Sequence, residues 1–118
     1  MPNSLNVVAN LSNSTLQLDH TGNATVTTTG DAFQGGQISV GTSEETITVS
    51  TDIGNAGLMW IQNTDDTNFV SFGFATTVYP LILNPGEAYL MRLTAATATL
   101  YLKADTAACN VHFGIYED

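Results

Sequence analysis

Basic residues are nearly missing from this chain. Arg92 and Lys103 are the only two among 118 residues, against eleven carboxylates, and the formal net charge is −9. Neutralising phosphates takes Lys or Arg, so this balance argues against nucleic acid as a partner and against adhesion to anionic lipid. Charge of either sign is scarce: charged residues make up 11% of the chain, where an ordinary globular domain has about 25%. Cys109 is the only cysteine, so no intrachain disulfide can form. No apolar stretch approaches the roughly 20 residues that span a bilayer as a helix. The opening Met1-Pro2-Asn3-Ser4 has neither the basic nor the apolar region of a leader, which leads us to expect folding in a cytosol. Also lacking is any apolar period of 3.6 sustained over ten residues; the nearest candidate, Ala95 to Ala98, is short and rich in Thr.

What is present instead is Thr, Ser, Asn and Gly, with Thr in runs such as Thr25-Val26-Thr27-Thr28-Thr29. Thr suits a pleated, half-buried surface, and turn signals recur every 8–12 residues or so, the cadence of an all-β sandwich or barrel. We therefore expect one domain, residues 1–118, folded as an antiparallel β-sandwich of jelly-roll type.

In the first third, Leu5 to Leu11, Thr15 to Asp19 and Ala24 to Thr29 read as short strands, with Thr21-Gly22-Asn23 as punctuation. Gln34-Gly35-Gly36 reads as a flexible corner. Ile47, Val49 and Ile53 alternate with polar neighbours, as in a strand with one buried face. The cluster Gln62-Asn63-Thr64-Asp65-Asp66-Thr67-Asn68 reads as a hairpin loop, and Asn84-Pro85-Gly86-Glu87 as a type II turn. Pro80, inside an apolar run, marks an edge strand or a bulge.

Several runs in the second half are apolar on both faces: Leu58 to Ile61, Val78 to Leu83 and Tyr89 to Leu93. A two-layer sandwich of this size buries only one face of each sheet. The surplus predicts a homotrimer or other small ring, with an interface drawn from Leu58, Met59, Trp60, Ile61, Tyr79, Leu81, Leu83, Tyr89, Met91 and Leu93. Adjacent strand positions face opposite ways, so one of Met59 and Trp60 must point outward.

Catalytic and ligand-binding candidates are few. His20 and His112 are the only histidines, and Cys109 and His112, three apart on a strand, point to opposite faces. Asp65, Asp66 and Asn68 offer hard oxygen ligands on one loop but lack the spacing of a calcium loop. Trp60, Tyr79, Tyr89 and Tyr101 could stack on sugars only if exposed among polar groups, and Trp60 sits between Met59 and Ile61. We expect no catalytic residue, no metal and no cofactor.

Four pieces in order resemble the capsid decoration, or cement, proteins of tailed bacteriophages. They are Gly57-Leu58-Met59-Trp60-Ile61-Gln62-Asn63, Asn68-Phe69-Val70-Ser71-Phe72-Gly73, Leu83-Asn84-Pro85-Gly86-Glu87, and Tyr101-Leu102-Lys103-Ala104 leading to the acidic end Ile115-Tyr116-Glu117-Asp118. The resemblance spans about half of the chain, and residues 1–50 carry none of it. It implies a jelly-roll sandwich, often trimeric, on the outer face of a head shell, made in the host cytoplasm, with the major capsid protein as partner and no catalytic residues. The alternative is a module of a phage tail or fibre that recognises a host glycan.

Overall fold

The computed structural model describes residues 3–118, and among them there is no helix. Ten strands follow in chain order: β1 (Asn3–Asn13), β2 (Leu18–Thr28), β3 (Phe33–Val40), β4 (Glu45–Thr48), β5 (Ala56–Asn63), β6 (Val70–Gly73), β7 (Leu81–Leu83), β8 (Ala88–Arg92), β9 (Thr99–Ala104) and β10 (Cys109–Glu117). The chain is all-β, and every ladder is antiparallel.

β1 and β2 form a two-stranded ribbon by themselves. The other eight strands form two four-stranded sheets, in the orders β3-β10-β5-β8 and β4-β9-β6-β7. The pairs β3–β10, β4–β9, β5–β8 and β6–β7 are nested one inside the next. From β3 onwards, every connection except β6–β7 passes from one sheet to the other. The inward faces share a single core. Met59, Ile61, Val111 and Ile115 come from the first sheet, and Ile47, Val70, Phe72, Leu83, Leu100 and Leu102 from the second. Each such side chain, fully withdrawn from water, contributes about 1.5–3 kcal/mol.

Turn chemistry places several elements where the sequence puts them. Gly86 has φ 81°, and the Glu87 N–H donates to the Asn84 carbonyl at 3.0 Å, as a type II turn requires. Pro80 immediately precedes β7, an edge strand. The strand expected from Thr46 to Ile53 is cut short, since β4 ends at Thr48 and a turn closed by the Ile53 N–H on the Ser50 carbonyl follows, although Ile47 and Ile53 are buried and Val49 packs on the core.

Other expectations are corrected. The segment 62–69 is no hairpin, because β5 and β6 lie in different sheets and the loop carries the chain between them. Its side chains, rich in turn formers, make a corner that the buried Asn63 pins from both sides. Asn63 Nδ2 donates to the carbonyls of Asn68 (2.9 Å) and Leu83 (3.1 Å), and its Oδ1 accepts from the Asp65 N–H (2.9 Å). Gln34-Gly35-Gly36 lies within β3 and forms no corner. The ring of Phe33 covers Gly35, where a Cβ would come within 2.3 Å of it. The first third holds two long strands where three short ones were expected, and Thr21-Gly22-Asn23 sits inside β2, paired with Val8, Ala9 and Asn10. The turn is at residues 14–17, with Gln17 at φ 55° and Asn13 Oδ1 accepting the Leu16 N–H. The ladder to β1 runs without a break through Gly22, and its cross-strand pairing before and after that residue outweighs the turn preference.

Candidate interaction surface

The sheet β3-β10-β5-β8 turns one face to the core and the other outward. Register brings Gly114 beside Trp60 and Trp60 beside Leu90, with Gly35 next to Gly114, so an apolar row crosses all four strands. Trp60 is 39% exposed and Leu90 38%. At one flank Phe33 and Tyr116 stack with ring centroids 4.9 Å apart, their rings standing over glycines that leave room for them. At the other, Arg92 Nη1 lies 3.4 Å from Asp118 Oδ1, an exposed pair of little energetic weight.

The ribbon rises from this same sheet. Its ladder alternates sharply. Leu5, Val7, Ala9 and Leu11 share one face with Val26, Ala24, Gly22, His20 and Leu18, while Ser4, Asn6, Val8, Asn10 and Ser12 share the other with Thr27, Thr25, Asn23, Thr21 and Asp19. Only the base of the apolar face meets the sheet. Leu5, Val7 and Val26 are half-buried, whereas Leu11, Leu16 and Leu18 are 74%, 66% and 49% exposed. An open groove of about 380 Å³ separates ribbon and sheet, lined by Leu5, Asn6, Val7, Val8, Leu58, Trp60, Leu90 and Tyr116. The projecting ribbon explains the radius of gyration of 15.2 Å, above the roughly 13.5 Å of a compact chain of this length.

The root of the ribbon is held by the chain's last residues. Glu117 Oε2 accepts the N–H groups of Asp31 and Ala32 (3.1 Å each), and Oε1 accepts that of Gly54 (2.9 Å). Those N–H donors, Gly54 first, hold the Glu117 carboxyl below the usual range. The Gly30 N–H donates to the Asp118 carbonyl, which ties the exit of β2 to the same seam.

The ten residues expected at an oligomer interface divide. Met59, Ile61, Leu83 and Leu93 lie in the core of the single chain, so an interface cannot use their side chains without opening the fold. Leu81, Tyr89 and Met91 pack against that core, and the Tyr89 hydroxyl donates to the Ile82 carbonyl at 2.7 Å. The Tyr79 hydroxyl bonds Glu44, which also accepts from Thr76 Oγ1 and the Thr77 N–H at 2.8 Å. Tyr79 foremost, these donors lower the Glu44 carboxyl, and Glu44 raises the Tyr79 phenol. Leu58 and Trp60 alone of the ten line the groove. Leu90, within the expected run Tyr89 to Leu93, also lines the groove, whereas Leu5, Val7, Val8 and Tyr116 were missed there, although the period-two pattern Leu5, Val7, Ala9, Leu11 was legible.

The candidate chemical groups remain apart. Cys109 is buried, its thiol pushed up by desolvation first and by Asp65 and Asp105 after it, and it points to the core while His112 faces outward. His20 stands exposed on the ribbon. Asp65 is occupied by its own turn: Oδ2 accepts from the N–H groups of Asn68 (2.6 Å) and Thr67 (3.0 Å), in that order the causes that lower its carboxyl. Among the described residues no group of three His, Cys, Asp or Glu side chains converges as a metal site would need. No family model, curated protein or solved structure matches the chain.

Proposed function

We propose that this chain is a non-enzymatic virion protein of a tailed bacteriophage, a decoration or cement protein that binds the outer surface of the head shell as a small ring of copies. The observation that carries the reading is the pairing of a ribbon with one largely apolar face and an apolar outward sheet face, with no charged side chain in the groove between them, a surface suited to another protein and to no small charged ligand. Exposed apolar patches rimmed by polar residues mark such contacts. A cement protein stabilises a shell because it binds the assembled state and leaves the dissociated subunits alone. The net charge of −9 suits a position on the outside, away from packaged DNA.

The fold we assign is a jelly-roll β-sandwich. Its support is the nested pairing of β3 to β6 with β10 to β7, the pattern of one long hairpin rolled into two sheets, together with the core they share. A second reading, glycan recognition from a tail or fibre, draws on the exposure of Trp60 and Phe33. Its weakness is that the groove beside Trp60 is lined almost wholly by apolar side chains.

The test is co-sedimentation of the purified protein with empty phage heads, alongside its location and copy number in whole particles. Saturable binding to heads and many copies on the shell are the expected results. A few copies confined to the tail, with binding to a glycan array, would sink the decoration reading in favour of the second.

A further inference from the structure

We infer that the tip of the β1–β2 ribbon of one copy seats in the ribbon–sheet groove of a second copy, head to tail. This goes beyond the decoration reading, because it is a property of the free protein with no shell present. The ribbon needs a partner: two strands alone are marginally stable in water, and both long edges of this one are free of any further strand among the described residues. Its tip presents Leu11, Leu16 and Leu18, all largely exposed. The groove presents Leu58, Trp60, Leu90 and Tyr116 with nothing seated among them.

The tip cannot fill the groove of its own chain. β1 and β2 are paired without a break from Asn3↔Thr28 to Asn13↔Leu18, so the ribbon does not fold back. From the groove wall at residues 5–8 to the turn at 14–17 is about nine residues, or roughly 30 Å of strand at ~3.3 Å each.

Charge selects the occupant. Residues 1–18 contain no charged side chain and the groove lining contains none; ten of the eleven carboxylates lie from Asp31 onwards, and the eleventh, Asp19, is on the ribbon's polar face, turned away from Leu11 and Leu18. Two copies of net charge −9 repel each other, and tip and groove are the surfaces that can meet without adding to that repulsion. A basic partner would be drawn to the acidic body instead, and an anionic membrane would repel the chain. One tip in one groove is smaller than the roughly 1,200 Å² that stable complexes bury. Persistence therefore comes from closure, in which each copy both gives a tip and receives one; such a head-to-tail contact closes into a ring or runs on into a fibre.

The experiment uses the full chain without shells, by sedimentation equilibrium and by the emission of Trp60, the only tryptophan. Wild type is expected at a small whole multiple of 12.5 kDa, with emission that moves to the red as dilution empties the groove. Leu16→Asp/Leu18→Asp should be a monomer with red emission at every concentration. Both positions are exposed and outside the core, so the variant should keep the wild-type circular dichroism. Asn10→Asp, on the polar face opposite Thr21, should assemble as wild type does. Leu90→Asp breaks the groove but keeps its tip, and Leu90→Ser replaces it if the aspartate variant melts early. Each broken variant alone is monomeric, and their equal mixture, which has one intact tip–groove contact and no closure, should associate only at concentrations far above those at which wild type assembles. A monomeric wild type, a tip variant that keeps the wild-type mass, or a mixture that assembles as tightly as wild type would each overturn the inference.

Discussion

Replacing Asn63 by Ala should destabilise the fold by about 3 kcal/mol, and the figure follows from three hydrogen bonds. The Asn63 side chain is fully buried and donates to the Leu83 carbonyl (3.1 Å) and the Asn68 carbonyl (2.9 Å) while accepting the Asp65 N–H (2.9 Å). Alanine leaves the Leu83 carbonyl without that donor in a buried site, at a cost of about 1–3 kcal/mol. The Asn68 and Asp65 groups are half-buried and recover part of their loss from water, so each adds about 0.5–1 kcal/mol. With an unfolding entropy of about 2.1 cal/mol/K per residue, 3 kcal/mol lowers the melting temperature of a chain this long by roughly 12 °C. Urea unfolding at a concentration low enough to keep the chain monomeric is the assay. Asn63→Asp makes a sharper companion: it keeps the acceptor, loses both donors and sets a charge against the Leu83 carbonyl. Its deficit relative to Asn63→Ala should shrink as pH falls, because protonation restores one donor. The reasoning is refuted if Asn63→Ala lies within about 0.5 kcal/mol of wild type, or if Asn63→Asp equals wild type near neutral pH.

Glu117→Gln should flatten the acid limb of the stability curve. The folded carboxyl titrates below its unfolded value, so its contribution is present above the unfolded carboxylate range and disappears as pH falls through the lower, folded value. Melts of wild type and variant should differ near neutrality and converge in acid; a constant gap would contradict the assignment. Met59→Asp should unfold the chain, because position 59 is in the core, whereas Trp60→Asp should fold and fail to assemble; circular dichroism separates them. Changing His20, Cys109 and His112 together to Ala should leave shell co-sedimentation within about tenfold of wild type, with any loss traced to stability by a parallel melt.

How much of this was legible in the residues can be seen at particular positions. The Thr-rich composition and the spacing of turn formers were enough for an all-β chain, and Asn84-Pro85-Gly86-Glu87 was enough for its turn, since both depend on local φ and ψ preferences. The opposite facing of Met59 and Trp60, and of Cys109 and His112, followed from the period of two alone. Period two does not say which face is which. In a run apolar on both sides, Met59 and Trp60 are equivalent until a second layer packs on the sheet, and the β4-β9-β6-β7 sheet across the core is what put Met59 inward. The loop at 62–69 looked like a hairpin because its residues do favour turns; that it joins two sheets depends on β10 and β9 claiming β5 and β6, partners 28 or more residues away in the chain. The apolar face of the ribbon was written in Leu5, Val7, Ala9 and Leu11, yet its exposure was not, since burial belongs to whatever packs opposite. Composition and periodicity thus determined strands, turns and their two faces, while the tertiary structure decided which faces meet, because strand pairing joins residues that no local preference connects.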